Sequence, residues 1–499
     1  MLASREHFGG FGERERSHGR RAIARCRQYV RKASAELAPG LGPRYTRAVG
    51  FARGSCGMGR KAHEAPRHAD ARLVKRLLLA IICAVFAGLA LPVVSDSFRQ
   101  LRTSQPHNPH PVSIYDAMPV PGTSSVMGSP GAAGADFSQV YTSALALRHG
   151  ESAYHPKTEA FRDRFGRPAG YPPLMNWLYV PITWLPYDAA LLAHVLVSLA
   201  ALFGVSAWAL SAAGLARQIP LLLLAQACLF FLTPIGVTHL ERGQFDLHVA
   251  AVIGLCFACT FLDRSLVRAA VTAGIAGALK WTALPFLGCY SALGFVASSG
   301  LRRWAFFIMP ALTFLATAVF WKGVADYWYT IQVFEIDAQT YGLTLQHFMP
   351  RAVAKAAPVV VTLAFGVWVL LRARSSGERI TSFRSVSAPF ALGLTNLGVC
   401  FGTLSYEYHT VTTLGMLPGL VVWTCRTDDV AAWVKSFVCG AFGVFVVVAF
   451  RTFDPVFKPA PEAATMSGWY VLFALVFFSI SGHVLWSRRR APAAVQAAA

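Results

Sequence analysis

Residues 188–213 read DAALLAHVLVSLAALFGVSAWALSAA, a run whose single acidic residue stands at its start. About 20 continuously apolar residues cross the hydrocarbon core of a bilayer as a helix. A barrel strand would alternate apolar and polar residues, and this run does not. In lipid a chain must satisfy its own backbone hydrogen bonds, which leaves the helix as the way to cross. Similar runs recur along the chain, at 73–95, 218–238, 245–262, 268–283, 285–299, 303–321, 357–373, 387–404, 408–425, 432–450 and 467–486. The two flanking Pro285 are short enough to form one kinked helix, so the expected count is eleven or twelve spans. The stretch from Pro172 to Pro186 is apolar and aromatic but interrupted by Pro181, which suits an interfacial or re-entrant segment.

Composition agrees. Of 499 residues 55% are hydrophobic and 14% charged, against about 25% charged in soluble proteins. The expected fold class is an all-α, polytopic membrane protein. Residues 73–490 form its membrane domain, residues 1–72 a basic cytoplasmic tail, and 491–499 a short C-terminal tail. About half of the net charge of +21 lies before Leu73, among Arg, Gly, Ser and His. A basic tail facing anionic lipid accounts for it without nucleic acid. The tail lacks a core-forming pattern and is expected to be disordered, with Met58 an alternative start. Cys256 and Cys259 form a CxxC in the middle of an apolar run, where they read as small packing residues rather than a redox or metal pair.

Basic residues orient the spans. Arg72, Lys75 and Arg76 place the start inside, and Arg264 with Arg268 and Arg302 with Arg303 fall on the same side. So do Arg372, Arg374, Arg379 and Arg384, and the closing Arg488, Arg489 and Arg490. Both termini are then cytoplasmic in a plasma (inner) membrane. Four polar features fall together on the other face: the loop carrying Asp136, the turn from Glu241 to Asp246, the end of the span carrying Lys280, and Ser405 to His409. The first extracytoplasmic loop, 96–187, opens on a Pro/Gly/Ser-rich linker (105–134). It then turns amphipathic from Ala135 to His149, with Phe137, Val140, Ala144, Leu145 and Leu147 on one side.

The candidate chemistry lies in those four features. Asp136 opens the amphipathic helix, where it can cap the helix and also serve as a positioned carboxylate. Lys280 ends a Gly-rich run, and a cation there either snorkels to the surface or meets a lipid phosphate. His409 follows Tyr406, Glu407 and Tyr408, a mixture suited to sugar or phosphate. Arg242 and Gln244 precede Asp246 and His248 at a helix start, where the dipole favours an anion. His239, Asp246 and His248 match no metal-ligand spacing, and no metal is expected.

In this order the pieces resemble the multi-spanning GT-C glycosyltransferases, and more narrowly glycosyltransferase family 87. The motifs are Asp136-Phe137 with Tyr141, Gly150 to Tyr154, Tyr171-Pro172-Pro173, Gly243-Gln244, the Gly-rich run into Lys280, and Tyr406 to His409. The resemblance implies a polyprenyl-phosphate hexose donor, mannose above all, and a glycolipid or glycan acceptor. It implies Asp136 as the general base and Lys280, His409 and Arg242 on the donor phosphate. Tyr141, Tyr171, Gln244, Asp246, Tyr406 and Glu407 would contact substrate, with no cofactor. The chain departs from the family pattern at Asp246, where Asn is expected. A carboxylate there would repel a phosphate, so it is expected to face the acceptor or to pair with Arg242. The rival class is a transporter or flippase of lipid-linked saccharide, disfavoured because no internal repeat is visible. A non-catalytic scaffold is weaker still.

Overall fold

Helix α1, residues 70–88, opens the part of the chain that a computed structural model describes. The described residues are 70–88, 134–158, 161–163, 169–262, 267–280, 300–318, 321–334, 345–350, 379–401, 407–450 and 460–488, with isolated positions between 283 and 295 and between 352 and 368. The chain divides into units at 1–68 and 69–499, and the description concerns the second. The N-terminal tail, the linker 105–133, Tyr406, the C-terminal tail and most of 285–299 and 357–373 lie outside the described residues.

The remaining elements are α2 (Ala135–Arg148), α3 (Pro173–Leu178), α4 (Tyr187–Ala212), α5 (Ile219–Phe231), α6 (Pro234–Arg242) and α7 (Asp246–Leu262). They continue through α8 (Val267–Leu279), α9 (Ala305–Ala318), α10 (Trp321–Phe334), α11 (Arg379–Phe401), α12 (Met416–Arg426), α13 (Ala432–Ala449) and α14 (Ala460–Arg488). No strand occurs among the described residues. Among the described residues, three helices carry stretches long and apolar enough to cross a membrane, Tyr187–Ala212, Ala432–Ala449 and Ala464–Val484. This is an all-α membrane protein.

The face that α4 buries explains why that reading is physically required. Its buried side carries Ala190, His194, Ser198, Leu202, Ser206 and Ala209, mostly small or polar and nearly every fourth residue. Leu192, Leu196 and Val197 point outward, each more than half exposed. A helix in water would reverse the two faces. In lipid the large apolar residues meet acyl chains, while small and polar residues let neighbouring helices approach and hydrogen-bond. Gln226 of α5 makes such a bond, donating from Nε2 to Ser206 Oγ and to the Leu414 carbonyl, both at 3.0 Å.

Helix α7 is the hub. It packs on α4, α8 and α12 and on the 3₁₀ segment Glu407–Gly415. Gly415 permits the last crossing, since a Cβ there would stand 1.9 Å from the Ala250 carbonyl oxygen. The first residue of α7 is Asp246, so whatever packs on that end defines the surroundings of a carboxylate. At the other end Arg384 Nε donates to the Thr260 carbonyl at 2.9 Å. Elsewhere a buried pair ties α1 to α13, with Lys435 Nζ 2.7 Å from Asp70 Oδ2.

Two expected spans are remodelled. The run 218–238 is two helices, because Thr233 turns extended and its side chain accepts from the Gly236 N–H, with Pro234 at the first position of α6. Threonine followed by proline is a helix-start signal. The expected helical start at 408 is instead 3₁₀ from Glu407 to Gly415, with α12 beginning only at Met416.

Candidate active site

Asp136 sits in the first turn of α2, and Gly134 rather than Asp136 is the N-cap residue. The helix is covered on more than its apolar side. Phe137, Val140 and Ala144 are buried, and so are Asp136, Ser138, Gln139 and Ser143. A purely interfacial helix would leave that polar face to water; here it turns into the protein.

The Asp136 carboxylate receives a two-pronged guanidinium contact from Arg242, through Nε to Oδ2 and through Nη2 to Oδ1 at 3.0 Å. The Gln244 amide nitrogen also donates to Oδ2. Bidentate Arg–carboxylate pairing fixes orientation as well as charge. Arg242, expected on a phosphate, is thus turned onto the carboxylate. The Gln244 amide is oriented from both ends, since its Oε1 accepts from the Tyr171 hydroxyl at 2.9 Å. Tyr171 is held by Tyr154, whose hydroxyl donates to the Tyr171 carbonyl at 2.7 Å. Burial pushes the Tyr154 phenol far above its usual range, so it remains a donor.

Asp246 collects the other predicted groups. Lys280 Nζ lies 2.8 Å from Asp246 Oδ1 and 3.0 Å from His409 Nδ1, and that nitrogen is 3.1 Å from both Asp246 oxygens. Lys280 is the first residue beyond α8, and its backbone N–H still bonds the Ala276 carbonyl at 3.2 Å. Asp246 therefore pairs with Lys280, not with Arg242. The two clusters meet at Tyr171, where Nζ of Lys280 stands 5.9 Å from the ring centroid. Six expected site residues besides Tyr171 thus share one buried network: Asp136, Arg242, Gln244, Asp246, Lys280 and His409.

Tyr141 does not enter it. The Tyr141 hydroxyl donates to the Leu185 carbonyl at 2.8 Å, and its ring packs on Phe137 and Tyr187. Tyr406 lies outside the described residues, and of Glu407 only the backbone is described. His248 faces Ser198 Oγ at 3.0 Å and the Tyr179 hydroxyl at 3.3 Å, away from Asp246. Among the described residues no group of three or more His, Cys, Asp or Glu is placed to hold a metal ion.

Sequence reasoning missed His194. Its Nε2 lies 3.2 Å from the Gln244 carbonyl and its Nδ1 2.6 Å from the Tyr179 hydroxyl. A carbonyl only accepts, so Nε2 carries the proton and Nδ1 accepts from Tyr179. The ring lies 5.2 Å from Phe137 and 4.5 Å from Phe245, the chain neighbours of the two acids. The available signal was a polar side chain within an apolar span.

Gly243 joins the Arg242 side to the Gln244 side at φ 63, a left-handed conformation. A Cβ there would stand 2.7 Å from Phe137 Cβ and 3.0 Å from Leu191 Cδ1. Gly243→Ala is expected to separate α2 from the turn and to cost roughly 1–3 kcal/mol. Thermal unfolding in detergent checks the cost, and a fall in activity larger than the fall in folded fraction checks the displacement.

The loop leading to Tyr154 depends on Glu151. Its carboxylate accepts from the Lys157 and Thr158 N–H groups at 2.8 and 3.0 Å and from the Thr158 hydroxyl. Those bonds, the Thr158 hydroxyl's foremost, lower the Glu151 pKa. Since the folded value is depressed, this support is complete above the ordinary carboxylate range and lost as pH falls through the folded value. Proteolysis at Lys157 is expected to accelerate in acid, and Glu151→Gln to abolish that pH dependence.

A family model, glycosyltransferase family 87, matches residues 170–397, bearing out the resemblance read from the motifs. The matched stretch contains Tyr171, Arg242, Gln244, Asp246 and Lys280, and leaves Asp136 and His409 on either side. The match supports a membrane glycosyltransferase, which acts on a sugar donor and an acceptor. No curated protein and no solved structure matches the chain.

Proposed function

We propose that the protein transfers a hexose, mannose above all, from a polyprenyl phosphate to a glycolipid or glycan hydroxyl with inversion. The observation that carries this reading is the continuity of the buried network from Asp136 through Gln244 and Tyr171 to Lys280, Asp246 and His409. It offers a carboxylate for a hydroxyl proton and, beyond one tyrosine ring, a cation for a departing phosphate. A small pocket lined by Val249, Ile253, Leu394 and Val399, with His409 and Thr412 among its walls, puts apolar surface beside the polar cluster.

In this mechanism the acceptor oxygen attacks the anomeric carbon and gives its proton to Asp136. The bond between that carbon and the phosphate oxygen breaks, and polyprenyl phosphate leaves with the electron pair. Arg242 and Gln244 keep Asp136 ionised and aimed. A carboxylate so paired is a weak base, sufficient because the attacking hydroxyl becomes acidic only as its bond to carbon forms. Lys280 and His409 meet the developing phosphate charge, and Asp246 holds both in place.

The site faces the extracytoplasmic side of a plasma membrane in this reading. In a cysteine-depleted protein, impermeant reagents are expected to label cysteine at the exposed Lys157 position from outside and at Asp428 from inside. Labelling of both from one side contradicts the orientation. For the donor, purified protein in lipid is expected to consume polyprenyl-phosphate mannose and to leave nucleotide-activated mannose untouched; the reverse preference overturns the donor assignment.

A further inference from the structure

His239, at the end of α6, has no role in the mechanism above, yet it faces the site. Its side chain is 2% exposed, and its Nε2 has no hydrogen-bond partner among the described residues. That nitrogen lies 3.9 Å from Asp246 Oδ2, beyond hydrogen-bonding distance. A buried polar atom left unpaired costs about 1–3 kcal/mol. Asp246 Oδ2 has spare acceptor capacity: among the described residues its hydrogen-bonding neighbour is His409 Nδ1, shared with Oδ1. An unpaired nitrogen and a carboxylate oxygen with spare acceptor capacity therefore face each other across a gap that a single oxygen, entering from the side at about 2.8 Å from each, would bridge.

The chemistry of the pair selects that oxygen. A carboxylate only accepts, so the bridging group must donate a proton to it. In the tautomer with its proton on Nε2, which the facing carboxylate favours, His239 donates to the same group. A hydroxyl does both. A phosphate oxygen does not, since it brings no proton and is repelled by Asp246. We infer that His239 and Asp246 form a subsite for one hydroxyl of the donor hexose. Asp246 thereby links two recognitions, holding Lys280 against the phosphate through Oδ1 and a sugar hydroxyl through Oδ2. This explains why a carboxylate can stand where a phosphate-binding site alone would exclude it.

The inference rests on the lipid-phosphate hexose reading, and the test separates the two. Thermal stabilisation of the full-length protein in detergent is measured with polyprenyl-phosphate mannose and with its four monodeoxy analogues (2-, 3-, 4- and 6-deoxy). In the wild type, one analogue is expected to bind at least about tenfold more weakly than the parent, because a polar site rejects a ligand lacking its hydroxyl. In His239→Phe that analogue and the parent are expected to bind within about twofold of each other. His239→Gln, which keeps an N–H donor, is expected to restore the discrimination and serves if the Phe variant does not fold. Equal losses across all analogues in wild type and variants overturn the subsite, leaving a water or nothing in the gap. A wild type stabilised by none of the five lipids overturns this inference together with the donor assignment.

Discussion

Asp136→Asn is expected to reduce sugar transfer by about 10²–10⁴-fold, the range for removal of a general base, while donor binding survives. The effect has two components that must be measured apart. Asp136 is buried and neutralises Arg242 through a two-pronged contact. Removing one member of a buried pair leaves an uncompensated charge, at a cost of about 3–5 kcal/mol. The single variant is therefore expected to melt earlier as well as to lose activity. The double variant Asp136→Asn/Arg242→Gln removes both charges and is expected to recover much of the stability. It should recover none of the transfer, since no proton acceptor has returned. Recovery of transfer along with stability would reduce Asp136 to a structural partner of Arg242.

Lys280→Met is the second large effect, and its logic is parallel. Lys280 lies 2.8 Å from one oxygen of Asp246, whose side chain is fully buried. Without the ammonium that carboxylate keeps, among the described residues, His409 and a distant His239. The stability loss is again expected at about 3–5 kcal/mol. Adding Asp246→Asn removes the orphaned charge and restores folding, a non-additivity expected of groups in contact. Donor affinity is expected to remain low in the double variant, because the cation that meets the phosphate is still missing. Asp246→Asn alone tests the opposite sign. It removes a negative charge beside the phosphate while His409 Nδ1, 3.0 Å away, still holds Lys280, so the phosphate part of the lipid should bind no worse, while sugar discrimination is lost. Unchanged donor binding in Lys280→Met/Asp246→Asn would contradict the phosphate role.

Much of this architecture could be read from the chain before any fold was known. Continuous apolar runs dictate membrane helices, and the distribution of arginines gathers Asp136, Arg242, Gln244, Asp246, Lys280 and His409 toward one side. What the sequence does not carry is pairing. Asp136 and Arg242 are 106 residues apart, and Asp246 and His409 are 163 apart. Which acid meets which cation depends on where helix ends converge. Asp246 was expected to meet the acceptor or Arg242; it meets Lys280 because α8 ends against the start of α7. The 3₁₀ course of Glu407–Gly415 was equally hidden, since the segment runs without a break into the helix that begins at Met416. By contrast, the break in 218–238 was legible in Thr233-Pro234, and the polar face of α4 in His194, Ser198 and Ser206. In a membrane helix the polar residues, rather than the apolar ones, mark the side that packs.

The central claim is that a bond is made and broken at this site, where the rival reading has an intact lipid-linked saccharide carried across the bilayer. Purified protein in sealed liposomes that include acceptor glycolipids extracted from the source membrane, supplied with polyprenyl-phosphate mannose labelled separately in the sugar and in the lipid, distinguishes the two. The two labels are expected to part, the sugar appearing on an acceptor glycolipid and the lipid label remaining in free polyprenyl phosphate, and Asp136→Asn is expected to prevent it. Labels that stay together while the donor changes leaflet would contradict it.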